Sequence, residues 1–287
     1  MGALMNQAPA RSESGTRSVA TRAPFSRRRV GFTPTEPGDN IGSRPELSVI
    51  VPLRNEAANV LPLVQQVLKA LGDPSRHMEL ILVDDASTDN TWDQLLEAQR
   101  QDRRIRPLRH LRHSGQSAAL WTGFETCRGD VIATLDGDLQ NDPADLPRLL
   151  AELATCDLVC GVRARRMDSL LRRISTVVAR GARKLALGTN FRDIGCNLRA
   201  FKRPVLQTLL PFNGLHRFMP VLAQDAGAVV RELNINHRPR VAGRSKYGVW
   251  NRMGRGILDL SMIAWYRKRQ LPTVPVVEHS VQETSPP

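Results

Sequence analysis

The chain shows no apolar periodicity until Glu46, and regular patterning begins there. Leu47-Ser48-Val49-Ile50-Val51 is a short apolar run closed by Pro52, which is how a strand buried on both faces reads. Val60, Leu63, Val64, Val67, Leu68 and Leu71 then recur at helical spacing, with Asn59 as the expected cap and Pro62 in the first turn. Leu80-Ile81-Leu82-Val83 is a second buried strand, ending in Asp84-Asp85. Thr88 or Asp89 is expected to cap a helix through Trp92, Leu95 and Leu96, and a third helix is expected over 116–127. Val131-Ile132-Ala133-Thr134-Leu135 reads as a strand ending at Asp136, followed by a helix around 145–153 and a strand Leu158-Val159-Cys160-Gly161. The second half is less regular. An Arg-rich amphipathic helix is expected over 166–187, a strand over 229–236, and a helix over 248–266 carrying Ile257, Leu258, Leu260, Met262, Ile263 and Trp265.

Buried strands alternating with helices imply an α/β fold, with a mostly parallel sheet covered by helices on both faces. Ligands bind such sheets beyond the strands' C-terminal ends. Pro52, Asp84, Asp85, Asp136 and Asp138 all fall at that edge.

Composition sets the partners. Apolar residues make up 41% of the 287 and aromatics only 5%, so the core rests on aliphatic side chains. Lys and Arg number 41 against 28 Asp and Glu, a formal net charge of +13. That charge favours anionic partners such as phosphorylated molecules, anionic lipid or nucleic acid. No zinc-finger, RNP-like or helix-turn-helix signature supports nucleic acid. Cys127, Cys156, Cys160 and Cys196 form no CxxC pair and read as reduced core or site-lining residues. No apolar run reaches the ~18 residues of a bilayer span, and no secretory h-region opens the chain. The expectation is a cytoplasmic protein, peripheral to the inner face of a membrane. Residues 1–44, including Arg27, Arg28 and Arg29, read as a disordered basic tail, and 271–287 as a second disordered tail. One domain is expected over 45–270, with its halves meeting near 162–163.

The chemistry concentrates in Asp136-Gly137-Asp138-Leu139-Gln140. Two carboxylates one residue apart at a strand end, with a neutral carbonyl oxygen from Gln140, are hard ligands suited to Mg²⁺ or Mn²⁺, a diphosphate completing the shell. Such an ion would neutralise a departing nucleoside diphosphate. Of Asp84 and Asp85, one could accept hydrogen bonds from a base or ribose and the other could sit near the metal.

Six ordered segments together resemble glycosyltransferase family 2, and within it the dolichyl- and polyprenyl-phosphate sugar transferases. They are Val51-Pro52-Leu53-Arg54-Asn55-Glu56, Val83-Asp84-Asp85-Ala86-Ser87-Thr88-Asp89, Gly115-Gln116-Ser117-Ala118-Ala119, Asp136 through Pro143, Asp193-Ile194-Gly195-Cys196-Asn197-Leu198-Arg199, and Arg244-Ser245-Lys246-Tyr247. The resemblance implies a GT-A fold, Rossmann-like, with a smaller acceptor-side subregion. It implies that Pro52, Asn55, Glu56 and Gln116 line the nucleotide site, that Asp84 holds the base or ribose with Asp85 nearby, and that Asp136, Asp138 and Gln140 hold the metal. The implied reaction is an inverting transfer from a nucleotide-sugar, GDP-mannose or a UDP-sugar, to a polyprenyl phosphate. Because a phosphate acceptor is already anionic, it needs cations rather than a strong base. Arg163, Arg173, Arg244 and Lys246 are the candidates, with Ser245 as a further donor. Asn213 through Phe218 resembles a loop contacting acceptor or sugar, which makes His216 a candidate contact. Arg54 stands where many relatives carry Tyr or Phe, and His113-Ser114-Gly115-Gln116 replaces a commoner Asn-x-Gly pattern. The rival reading is transfer to a saccharide or small-molecule hydroxyl, which would require a carboxylate base in the acceptor half.

Overall fold

A computed structural model describes residues 44–72, 77–163, 181, 184–238 and 249–269. Seven strands form one sheet: β1 (Leu47–Leu53), β2 (Met78–Asp84), β3 (Ile105–Arg109), β4 (Val131–Thr134), β5 (Leu158–Arg163), β6 (Arg199–Lys202) and β7 (Val230–Ile235). Their order is β3-β2-β1-β4-β6-β5-β7. β6 runs antiparallel to both its neighbours and the other pairings are parallel. The helices are α1 (Ala57–Leu71), α2 (Thr91–Gln101), α3 (Gln116–Thr126), α4 (Leu146–Glu152), α5 (Leu215–Asp225) and α6 (Val249–Arg269).

Strand pleating splits the apolar residues between two cores. Val49, Val51, Leu80 and Leu82 face α1, α2 and α4, packing with Val60, Leu63, Val67, Leu95 and Leu149. Ile50, Ile81 and Val83 face the opposite side, with Leu120 and Phe124 of α3, Phe218 and Leu222 of α5, and Ile263 of α6. The expected arrangement of helices on both faces is therefore present. All four cysteines are buried and reduced.

Several local expectations differ. Asn59 does not cap α1; it lies inside the helix, donating its amide to Glu56 Oε2 at 2.6 Å. α2 begins at Thr91 with Asn90 in the cap position, while Asp89 Oδ1 accepts the Thr91 N–H and hydroxyl. β3, β6 and α5 were not expected. β3 (Ile-Arg-Pro-Leu-Arg) tolerates Pro107 because it is an edge strand bonded only to β2. Of the expected 166–187 helix only 181 and 184–187 are described, and they are helical; its remainder, residues 1–43 and residues 270–287 lie outside the described residues.

Candidate functional site

β1, β2, β4 and β5 all point their C-terminal ends to one edge. β2 and β4 flank β1, so the turns after Asp84 and Thr134 lie about 9–10 Å apart, two strand spacings. Three non-glycine residues with positive φ occur among the described residues: Asn55 (51°), Ala86 (53°) and Leu139 (60°). Each lies just past one of these strands, in a conformation that costs an L-residue roughly 1–2 kcal/mol. Strain concentrated at one edge is common at functional sites.

Hydrogen bonds hold the first two turns together. Asn55 N–H donates to Ser87 Oγ at 2.9 Å, and Thr88 N–H to Asn55 Oδ1 at 2.8 Å. Glu56 N–H donates to Thr91 Oγ1 at 2.9 Å. Of the predicted nucleotide-lining residues, Pro52, Asn55 and Glu56 thus share one partly exposed rim with the 84–91 turn.

Asp84 and Asp85 face different tasks. Asp84 is fully buried; its Oδ1 accepts the Ser87 N–H at 3.0 Å and its Oδ2 lies 3.3 Å from Arg109 Nε. Asp85 accepts from Ser114 N–H (2.8 Å), Gly115 N–H (2.7 Å), His110 Nδ1 (2.9 Å) and His113 Nδ1 (2.6 Å). Burial alone would raise its pKa. The bonds from Ser114, His110, Gly115 and His113 outweigh that and hold the carboxyl below the usual range. A carboxylate only accepts, so both imidazoles carry their proton on Nδ1. His110 Nε2 lies 2.9 Å from Thr122 Oγ1, within hydrogen-bond distance. Here both acids support the turns internally.

The Asp136 carboxylate sits among amides. It accepts from Gln116 Nε2 and Asn197 Nδ2, both at 2.8 Å, and from Asn141 Nδ2 at 3.4 Å. Burial first, and then the Asp138 carboxylate, push the Asp136 pKa up; the Asn197 amide and the charges of Arg163 and Arg199 pull it down. Asp138 Oδ1 accepts the Gln140 N–H at 3.2 Å. Gly137 between them has no room for a side chain: a Cβ would lie 2.4 Å from Leu53. A buried carboxylate whose proton affinity is raised by burial and by a neighbouring carboxylate, with neutral amide donors around it, suits a divalent cation. Among the described residues no three His, Cys, Asp or Glu side chains converge into a complete cage. Asp136, Asp138 and Gln140 would therefore leave ligand positions for a diphosphate and water. Sequence alone assigns no individual role to Asn141 or Asn197; Asn141 follows Asp136 within the same turn, and only the fold brings Asn197 to it.

On the other side, Arg163 grips Asp193 with two bonds, Nε to Oδ2 at 2.7 Å and Nη2 to Oδ1 at 2.8 Å. Burial opposes its charge, but Asp193 more than compensates and raises its pKa. Arg199 is buried, and its Nη1 and Nη2 donate to the carbonyls of His216 and Ile194. His216 opens α5. Ser117 Oγ accepts the Gly214 N–H at 2.9 Å and meets His216 Nδ1 at 2.8 Å. Burial, then Arg217 and Arg199, push His216 down to about 3, so it is neutral and joins α5 to α3. Arg173, Arg244, Ser245 and Lys246 lie outside the described residues.

The profile of the family described as Glycosyl transferase family 2 matches residues 48–210. A dodecaprenyl-phosphate galacturonate synthase of Rhizobium johnstonii is 38% identical over 234 residues, 78% of this chain and 68% of that protein. An undecaprenyl-phosphate 4-deoxy-4-formamido-L-arabinose transferase of Shewanella sediminis is 36% identical over 71% of this chain and 62% of its own length. The chain thus spans roughly two thirds or less of these relatives. A solved glucosyl-3-phosphoglycerate synthase of Mycobacterium tuberculosis, in complex with Mn²⁺, UDP and phosphoglyceric acid, superposes with a TM-score of 0.59 at 20% identity, covering 80% of this chain and 81% of that one.

Proposed function

We propose that this chain, which belongs to glycosyl transferase family 2, transfers a sugar from a nucleotide-sugar to a polyprenyl phosphate at the cytosolic face of a membrane. Its fold is that of the GT-A glycosyltransferases. In this reading the nucleotide lies along Pro52–Glu56 and the 84–89 turn. The diphosphate reaches Asp136, Asp138 and Gln140, which would hold Mg²⁺ or Mn²⁺. When bound, that ion supplies positive charge against the departing diphosphate. Gln116, Asn141 and Asn197 orient Asp136. Arg163, fixed by Asp193, presents a permanent charge beside Asp136, and Arg173, Arg244, Ser245 and Lys246 complete the acceptor side. The acceptor phosphate attacks the sugar's anomeric carbon directly, so catalysis rests on positioning and charge stabilisation.

One observation carries the choice of a phosphate over a hydroxyl. A hydroxyl acceptor needs a free carboxylate as base. Each described carboxylate beyond Arg163 is already in an ion pair: Asp193 with Arg163, Asp225 with Arg267, Glu232 with Arg192, and Asp259 with Arg217. The relatives named for dodecaprenyl and undecaprenyl phosphate support the same choice.

The test incubates the protein with a panel of GDP- and UDP-sugars, short-chain polyprenyl phosphate, and Mg²⁺ or Mn²⁺, with products read by mass spectrometry. A glycosylated phosphate is expected, and its yield should fall about 10²–10³-fold in Asp138→Ala. Transfer to saccharide hydroxyls with none to the phosphate would establish the rival reaction.

A further inference from the structure

α6 presents two faces. Inward, Ile263 is fully buried, and Leu260, Ala264 and Tyr266 pack on the second core. Asp259 pairs with Arg217 at 2.6 Å, and Arg267 Nε meets Asp225 at 2.9 Å. Outward, Leu258 is 71% exposed, Met262 38% and Trp265 61%. Positions 258, 262 and 265 are spaced four and three apart, which places them on one stripe. Leu185 is exposed as well. It lies two residues before Leu187, whose carbonyl accepts from Arg267, so it adjoins the same end of the helix. Lys268 and Arg269 follow, both exposed, and the Arg269 guanidinium lies 5.9 Å from the Trp265 ring centre.

Soluble surfaces carry scattered apolar residues. Leu, Met and Trp in register, ending in exposed cations on a chain of net charge +13, make an amphipathic binding face. Trp with adjacent cations suits the boundary between headgroups and acyl chains. The helix is also close to the site. A Cβ on Gly214 would meet Asp259 Oδ2 at 2.7 Å, and Gly214 bonds Ser117, next in sequence to Gln116, whose amide reaches Asp136.

We propose that the Leu258, Met262 and Trp265 stripe, with Lys268 and Arg269, docks the protein on an anionic phospholipid surface. This rests on the lipid-acceptor reading and adds the face through which the site meets the bilayer. No helix among the described residues is long and apolar enough to cross a membrane, so this face would lie along the surface.

Co-sedimentation with vesicles of phosphatidylcholine and phosphatidylglycerol, against phosphatidylcholine alone, tests it. Full-length protein should bind the anionic vesicles selectively and be partly released by salt. Replacing Leu258, Met262 and Trp265 together by Ser should weaken partitioning at least about tenfold. Lys268→Glu with Arg269→Glu should also weaken it, by about fivefold per residue. Thermal melting of the variants should match the parent, because none of these side chains is buried. Turnover on a water-soluble short-chain polyprenyl phosphate should be unchanged. No vesicle binding by the parent, or undiminished binding by the triple variant, would overturn the inference. So would a parent dimer that the triple substitution converts to monomer, since the stripe would then belong to a second copy. Vesicle binding that survives while transfer goes only to saccharide hydroxyls would instead overturn the acceptor reading.

Discussion

The two sides of the sheet edge are built differently. On the donor side, main-chain groups and short polar side chains bind one turn to the next: Asn55 to Ser87 and Thr88, Glu56 to Thr91, Asp85 to the amides of Ser114 and Gly115. On the acceptor side, long side chains in ion pairs make the connections: Arg163 with Asp193, Arg192 with Glu232, Arg217 with Asp259. Backbone hydrogen bonds fix geometry at little side-chain entropy cost, whereas Arg pairs order flexible stems. In the proposed reading, the donor side is therefore preorganised around the nucleotide diphosphate, while the acceptor side relies on longer, more adjustable side chains.

The comparison can be broken at its strongest point. Asp85→Asn leaves two imidazoles and two amides facing a group that accepts through one oxygen only. It should lower unfolding free energy by about 3 kcal/mol, read by urea denaturation. A loss under 1 kcal/mol would mean the donor side is not held this way.

A second, intermediate effect sits where the halves join. Neutral His216, at about 3 when folded against an ordinary 6.5, stays unprotonated while the unfolded chain takes up a proton. Its stabilising contribution is complete above about pH 6.5 and is lost as pH falls toward 3. Between pH 7 and pH 5 the stability gap between parent and His216→Asn should narrow by about 1–2 kcal/mol. A gap independent of pH would show that the imidazole is hydrated in the folded state.

The smallest effect belongs to the acceptor side. Arg192 pairs with Glu232 at 3.1 Å in a partly exposed setting. Arg192→Ala should cost about 0.5 kcal/mol at low salt and less at high salt. A cost matching that of Asp85→Asn would erase the distinction.

The same contrast explains what was legible in the sequence. β1, β2, β4 and β5 are continuous apolar runs, and the acidic turns after them read directly at the sheet edge. β3 and β6 did not read as strands because Arg-Pro-Leu-Arg at an edge and Arg-Ala-Phe-Lys lack a buried apolar run. α5 was obscured by Gly214 before it and Pro220 within it. Asp136 and Asp138 stood out as a pair. Of the partners that orient Asp136, Asn141 follows five residues on in the same turn, but Gln116 at the start of α3 and Asn197 come from distant segments, and no local spacing records that convergence. The internal use of Asp84 and Asp85 was hidden similarly, since Arg109, His110 and His113 meet them only across the β2–β3 pairing.

The reversed direction of β6 has an architectural consequence. β5 delivers the chain to the mouth at Arg163, and β6 takes it away again from Arg199. The segment between those residues therefore starts and ends at the same edge, and its described C-terminal part is tied into that edge: Asp193 holds Arg163 and Asn197 holds Asp136. Exchanging the segment would keep the edge intact only where these two contacts, or equivalents of them, are kept.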